Sequence, residues 1–427
     1  MKIHVEGYGC SMNISETEMI KGHAVSNGFE LSSESDADFL VINTCAVKEQ
    51  TDTNMIRRIK ELNFVAEKNN SQLIVFGCLP KINPAVIEGI SKNIVHIGPD
   101  LEKLSHVLGI KGESFSPAIS PVRFNSAVII LPINSGCTNF CTFCGTKLAR
   151  GNVKSHSIES IKKRFESSLL NSKEFWLTSQ DTGAYGLDIK TSLPDLLEAL
   201  LSVKGDFRIR VGMMNPHHLR RIYDRLIPLF SDERLYRFLH VPVQAGSDRI
   251  LKLMRRGYTV NQYRDLINRL NNDVPGITVA TDIIVGFPTE TDSEFFETLS
   301  LVKDTLAPVV NISRFGARPN TVAASMDGQL HGRVKKERSR KITGVCRAVS
   351  YRQNKCMLGR IERVFVSERS PKGGFVGRTL NYKPVVLADA IFGSFYNVRI
   401  TDVFPYYLIG EIVVEKSVPL RVKGNFS

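Results

Sequence analysis

The chain has 427 residues, 42% apolar and 23% charged, long enough for two to four domains that bury their own cores without disulfide staples. Its 56 Lys and Arg against 43 Asp and Glu give a net charge of +13, which points to a polyanionic partner, most simply nucleic acid. No apolar run reaches the roughly 18 residues of a membrane span, and the first six residues already carry Lys2, His4 and Glu6, so the expectation is a cytoplasmic protein with no signal peptide and no membrane partner.

In chain order, the first 110 residues alternate strand and helix patterns. Ile3–Val5, Phe39–Asn43 and Leu73–Phe76 read as strands. Ser15-Glu16-Thr17-Glu18 has the form of a capping box opening a helix, and Met55, Ile59, Leu62 and Ala66 make one apolar helical face. Such alternation predicts a parallel α/β sheet. Gly112–Pro121 reads as a linker. From Ala127 to Ala324 six strands are expected: Val128–Ile133, Phe175–Thr178, Phe207–Met213, Phe238–Val243, Ile277–Val285 and Val309–Arg314. With helices between them they suggest a partial (β/α) barrel working at its carboxyl strand ends. Residues 333–355 mix Arg and Lys with Ile342, Val345 and Val349, an amphipathic basic helix. Beyond it, the runs Arg360–Val366, Phe375–Leu380, Pro384–Leu387, Phe395–Ile400 and Tyr406–Val414, broken by Gly, Pro, Asn and Ser, predict a small all-β barrel. The expected domains are 1–112, 124–355 and 356–423.

Eight cysteines in such a chain suit metal ligation better than disulfides. Cys137, Cys141 and Cys144 are spaced C-x3-C-x2-C on one loop after the first barrel strand. Three thiolates there would hold three irons of a 4Fe–4S cluster and leave the fourth open. A structural zinc site would need a fourth ligand, and none lies nearby in sequence. Cys10, Cys45 and Cys78 each follow a strand of the first sheet, in Gly9-Cys10, Thr44-Cys45 and Gly77-Cys78. A free cysteine is by default a small buried hydrophobe. Three in equivalent strand-end positions converge on one crevice and predict a second cluster. Cys346 and Cys356 lack such placement and carry no expected role.

Several segments resemble the radical S-adenosylmethionine methylthiotransferases over nearly the whole chain. They are Gly9-Cys10-Ser11-Met12-Asn13, Asn43-Thr44-Cys45-Ala46-Val47, Gly136-Cys137 through Ala149-Arg150-Gly151, His240 through Gln244 and Ser247, and Thr281-Asp282 through Gly286 and Glu290. Asn134–Gly151 and Leu177–Gly186 are most similar to the archaeal and eukaryotic branch. The resemblance implies an α/β fold of three parts: a three-cysteine α/β domain, a radical S-adenosylmethionine barrel and a terminal barrel of the TRAM type. It implies methylthiolation at C2 of N6-threonylcarbamoyladenosine beside the anticodon of tRNA, with two 4Fe–4S clusters and S-adenosylmethionine as cofactors. An electron donor and a sulfur source would be further partners. The ending at Ser427 without an apolar tail fits the archaeal members and no membrane attachment.

The resemblance also proposes contacts. Phe143 precedes the last cysteine of the loop. Ser179, Gln180 and Asp181 end the second barrel strand, where the S-adenosylmethionine amino group would bind. Gln244 and Ser247 end the fourth, and Ile284 and Gly286 would pack on adenine. Arg255 or Arg256 would pair with a carboxylate, and Arg255, Arg256 or Arg318 would meet the carboxylate of the modified base. Arg360, Arg363, Arg378 and Lys383 are the expected RNA-phosphate contacts, with Tyr382 or Phe375 stacking on a base. The rival readings are action on isopentenyladenosine in tRNA or on a ribosomal protein, and an RNA-binding protein with structural clusters.

Overall fold

Strands that are apolar on both faces must be covered on both faces, and parallel pairing with crossover helices does this. The computed structural model describes residues 1–45, 49–110 and 122–413; the expected linker Gly112–Pro121 and the end of the last expected strand lie outside them. Strands β1 (Lys2–Gly7), β2 (Glu30–Leu31), β3 (Phe39–Thr44), β4 (Gln72–Gly77) and β5 (Val95–Ile97) form one parallel sheet in the order 2-1-3-4-5. Leu40, Ile42, Leu73 and Val75 pack under Met55, Ile59, Leu62 and Ala66 of the helix Glu49–Asn69, the expected stripe. Ile3, Val5, Val41 and Ile74 face the other way, against Ile20 and Ala24 of the helix Ser11–Ser26. Strand order reverses between β1 and β3, so the crevice at their carboxyl ends is the natural ligand position.

The expected capping box is not a helix start. The helix begins at Ser11 with Cys10 as its cap residue. Ser15 and Glu18 lie inside it, buried, because they have distant partners. The Ser15 hydroxyl donates to the Ile130 carbonyl and Glu18 accepts from the Phe124 amide at 2.9 Å.

The six expected barrel strands are present: β6 (Val128–Pro132), β7 (Glu174–Thr178), β8 (Arg208–Val211), β9 (Phe238–His240), β10 (Thr278–Val285) and β11 (Val309–Arg314). They form two parallel three-stranded sheets, 8-7-6 and 9-10-11, joined by bridges Ile209↔Leu235 and Met213↔His240. Ile129, Leu131, Phe175, Leu177, Ile209 and Val211 share one core with Leu196, Leu200 and Leu219 of the outer helices.

The last strands, β12 (Ile361–Arg369), β13 (Phe375–Arg378), β14 (Pro384–Leu387), β15 (Phe395–Val403) and β16 (Leu408–Ile412), close a barrel in the order 12-13-14-16-15. Before it runs the helix Gly332–Lys355. Ile342 and Val349 are buried, Arg338 is buried and paired with Glu290 at 2.5 Å, and Arg333, Lys336, Arg340, Lys341, Arg347, Arg352 and Lys355 face out.

The turn between β13 and β14 welds this barrel to the larger one. The Arg237 amide donates to the Leu380 carbonyl at 2.8 Å. Tyr382 packs with ring centroids 4.8 Å from Tyr236 and 4.9 Å from Phe238, and Arg210 stacks on it at 5.2 Å. Lys383 is buried and donates from Nζ to Asn354 Oδ1 at 2.7 Å. Tyr382 and Lys383 are therefore interdomain packing, not the expected base-stacking and phosphate contacts. Burial lowers the Lys383 pKa from 10.5 to about 8. Between those values the unfolded chain binds the extra proton, so this lysine makes stability rise with pH across that window. Denaturant titrations from pH 7.5 to 10.5 should show that rise. Lys383→Met should flatten it and stabilise the protein at pH 7.5; an unaltered slope would contradict the placement.

Candidate active site: two cysteine triads at one mouth

Each cysteine of the first triad is placed by the end of a strand. β1 ends at Gly7 and leads through Gly9 to Cys10; β3 leads to Cys45, and β4 through Gly77 to Cys78. Gly9 has φ +119°, and a Cβ there would lie 2.3 Å from Cys45 Cβ; Gly77 has φ +103°, and a Cβ there would lie 2.5 Å from the Thr44 carbonyl. Only glycine lets these turns pass so close. Asn13 ties them together. It accepts from Cys10 Sγ at 3.1 Å and donates from Nδ2 to Asn43 Oδ1 and the Thr44 carbonyl at 3.1 and 3.0 Å. Burial pushes the Cys78 thiol up to about 12, with the nearby Cys45 adding to the rise and the Arg150 guanidinium opposing it. A thiol so raised is protonated unless a cation compensates its thiolate, as a metal centre does.

The second triad sits on the loop after β6. The Cys137 amide donates to the Gly151 carbonyl at 3.1 Å, and the Thr142 amide and hydroxyl hold the loop to the Met254 and Leu253 carbonyls. Asn139 turns its backbone N–H and its Nδ2 to Cys137 Sγ, both at 3.4 Å. Arg256, buried, donates from Nη1 to Cys141 Sγ at 3.1 Å and from Nη2 to the Pro242 carbonyl at 3.0 Å. Burial raises the pKa of Cys137 and Cys141, and Arg256 works against that rise at Cys141.

The donor sets fit iron–sulfur clusters better than single ions. Thiolates around one zinc lie about 3.8 Å apart. Among the described residues, only His4, Glu6 and Glu34 bring three possible ligand atoms within 4.8 Å of one another. That group is already filled by Arg58, which donates twice to Glu6 at 2.8 Å and pairs with Glu34. Among the described residues neither cysteine triad brings its three sulfurs within 4.8 Å of one another, wider than the spacing around one zinc.

The triads share one mouth. Ser11, next to Cys10, bonds Thr178, the last residue of β7, at 2.6 Å between hydroxyls. The helix Gly145–Arg150, starting after Cys144, lies on the helix Leu79–Ile82, starting after Cys78; a Cβ on Gly145 would come within 2.9 Å of Ile82 Cδ1. Asn320, beyond β11, donates to the Ile82 carbonyl at 3.2 Å.

The other expected residues divide. Asp181 is buried as a hub: Asn139 Nδ2 and the Asn215 amide donate to it at 3.0 and 3.1 Å, and His218 Nδ1 lies 2.8 Å from it. Gln180 accepts from the Gly136 amide at 2.7 Å, and Ser179 from the Asp181 amide at 3.0 Å. Phe143 and Ile284 are half-buried against the barrel core. Gln244 is buried with φ 77°. Gly286 donates to Glu290 Oε2 at 2.7 Å. Ser247 caps the helix Asp248–Leu253 and donates to Glu294 at 3.1 Å, so its hydroxyl has structural work. Arg255 is exposed, and Arg256 is the one that reaches the cysteine loop. Arg318 is buried.

In the small barrel Arg360 and Arg363 face out, Arg363 pairing with Asp206 at 2.7 Å. Arg378 turns inward instead, to Glu368 at 2.6 Å and over the Tyr382 ring, so the expectation of a phosphate contact there is corrected. Phe375 packs against the barrel core. Asn13, Asn139, His218 and Arg150 were missed as site residues; Asn13, Asn139 and Arg150 lie in segments quoted above, and only their partners reveal their roles.

Comparison with known proteins adds the following. Residues 2–97 match the model of an uncharacterized protein family, UPF0004, residues 131–302 the radical SAM superfamily, and residues 355–413 the TRAM domain. A probable threonylcarbamoyladenosine tRNA methylthiotransferase of Pyrococcus horikoshii is 38% identical, covering 97% of this chain and all of that one. The corresponding Archaeoglobus fulgidus protein is 37% identical with the same coverage. A threonylcarbamoyladenosine tRNA methylthiotransferase of Homo sapiens is 34% identical over 98% of this chain and 75% of its own length. Among solved structures, the radical S-adenosylmethionine methyltransferase TsrM of Kitasatospora setae shares the fold, with a TM-score of 0.56 at 15% identity over 76% of this chain and 77% of that one. The chain belongs to the threonylcarbamoyladenosine tRNA methylthiotransferase family of radical S-adenosylmethionine proteins.

Proposed function

We propose that this protein places a methylthio group on C2 of N6-threonylcarbamoyladenosine beside the anticodon of tRNA. The observation that carries this reading is the convergence of two cysteine triads on one mouth, joined by the Ser11–Thr178 bond. When bound, a 4Fe–4S cluster with S-adenosylmethionine on Cys137, Cys141 and Cys144 would supply radical chemistry, and one on Cys10, Cys45 and Cys78 would supply the sulfur-transfer centre. Arg256 places a positive charge at Cys141, and Asn139 donates to Cys137. Both favour the thiolate form of buried sulfurs. Gln180 and Asp181 stiffen the loop floor through Gly136, Asn139 and His218. Phe143, Ser179, Gln244, Ile284 and Gly286 surround the same strand ends and are proposed to contact S-adenosylmethionine.

tRNA is the proposed macromolecular partner. The exposed cations of the helix Gly332–Lys355, with Arg360 and Arg363, form the proposed phosphate-binding surface. The reaction also needs an electron donor and a sulfur source. Among the described residues no helix is long and apolar enough to cross a membrane, and the cytoplasm, where tRNA is modified, is the proposed location.

Anaerobically reconstituted protein should hold about eight irons, and replacing Cys10, Cys45 and Cys78 with Ala should leave about four. That variant should still form 5′-deoxyadenosine but no methylthio product, whereas Cys141→Ala should form neither. Equal cleavage by both variants would reverse or remove the assigned roles.

Specificity is tested by competing tRNAs that carry threonylcarbamoyladenosine, isopentenyladenosine or unmodified adenosine, with products read by nucleoside mass spectrometry. The threonylcarbamoyl form should win, because a site built for a carboxylate-bearing group leaves its own polar atoms unpaired when that group is absent. Equal product from all three, or preference for the isopentenyl form, would refute the substrate.

A further inference from the structure

We infer that Arg150 is the positioning residue of the Cys10, Cys45 and Cys78 site, reaching it from the loop of the other triad and setting its charge balance. The inference rests on the two-cluster reading above.

Arg150 ends the helix that begins directly after Cys144. Its side chain leaves that loop and enters the first domain, where Nη1 and Nη2 donate to the two carboxylate oxygens of Glu16 at 2.6 and 2.9 Å. It also lies near enough to Cys78 and Cys10 for its charge to act on both thiols. The pair is buried, with side chains 3% and 9% exposed. A buried ion pair repays its desolvation poorly as a source of stability. What it gives here is direction. Two parallel bonds to Glu16 fix the plane of the guanidinium and so hold its charge beside the helix that begins after Cys78.

Glu16 stands on the helix that Cys10 opens, so this ion pair ties that helix to the one that begins after Cys144. The supporting packing is tight. Ala149 is buried with Cys78, Leu79 and Ile82, and a side chain on Gly145 would crowd the end of Ile82. The segment that shapes one triad thus also delivers a cation to the other.

Charge arithmetic makes the inference testable. Glu16 and Arg150 cancel beside three thiolates. Losing Arg150 leaves an added negative charge, and losing the Glu16 charge leaves an added positive one. Cluster potential follows net charge, so the two changes should act with opposite signs. The experiment uses the full chain with Cys137, Cys141 and Cys144 replaced by Ala, so that one cluster remains. It is reconstituted anaerobically, assayed for iron and titrated by EPR-monitored reduction. Arg150→Gln should shift the midpoint potential down, Glu16→Gln should shift it up, and Arg150→Lys should stay nearest the parent. If Arg150→Gln loses its iron, Glu16→Gln, which keeps the guanidinium, decides by the sign of its shift. Unmoved potentials in variants that keep about four irons would overturn the inference. A parent without iron would overturn the two-cluster reading, and the inference with it.

Discussion

Parallel pairing sends the carboxyl ends of all strands in a sheet to the same edge, and the arrangement of this molecule depends on that constraint. In the first sheet it gathers Cys10, Cys45 and Cys78 although more than thirty residues separate each from the next. In the second it sets the cysteine loop beside Ser179, Gln180 and Asp181. Two such edges are then turned toward each other by contacts that involve few atoms, among them a hydroxyl pair, a helix pair, a bond from Asn320 to the Ile82 carbonyl and a buried arginine. Long-range chemistry becomes local because each chain segment needs only to end its strand in the right place.

The cost of this convergence is burial of polar groups. Cys78 and Cys141 sit where burial opposes their charged forms, and each has an arginine beside it, Arg150 and Arg256. Those arginines are not available to nucleic acid. The same holds for Arg338, locked to Glu290, and for Arg378, locked to Glu368. The cations behind a net charge of +13 therefore divide into an inner set, which compensates buried carboxylates and sulfurs, and an outer set exposed along the helix Gly332–Lys355, the proposed phosphate-binding surface.

Much of this was legible in the sequence, for physical reasons that differ by element. β3 and β4 read as strands because nearly every side chain in them is apolar and buried. The stripe Met55, Ile59, Leu62 and Ala66 read as a helix face because it packs on one sheet. The two cysteine triads were read from different signals: the C-x3-C-x2-C spacing for Cys137, Cys141 and Cys144, and equivalent strand-end placement for Cys10, Cys45 and Cys78. What failed was local pattern that distant partners overrule. Ser15 to Glu18 mimics a cap, yet its polar groups are satisfied by Ile130 and Phe124. Tyr382 and Lys383 look like RNA contacts on a small barrel, yet Tyr382 packs on Tyr236 and Phe238 of the neighbouring barrel, and Lys383 is held by Asn354 of the helix Gly332–Lys355. Arg150 stood in a family-like segment without a role, because its partner Glu16 is 134 residues away.

The claim on which the account turns is that two clusters sit at one mouth, close enough to act on one base. EPR spectroscopy of anaerobically reconstituted, fully reduced protein tests it most directly. Two adjacent paramagnetic clusters interact, so the spectrum should differ from the sum of the spectra of the two single-triad variants, with splitting or faster relaxation in the intact protein. A spectrum equal to that sum would contradict the account, because it would mean two clusters that do not share a site.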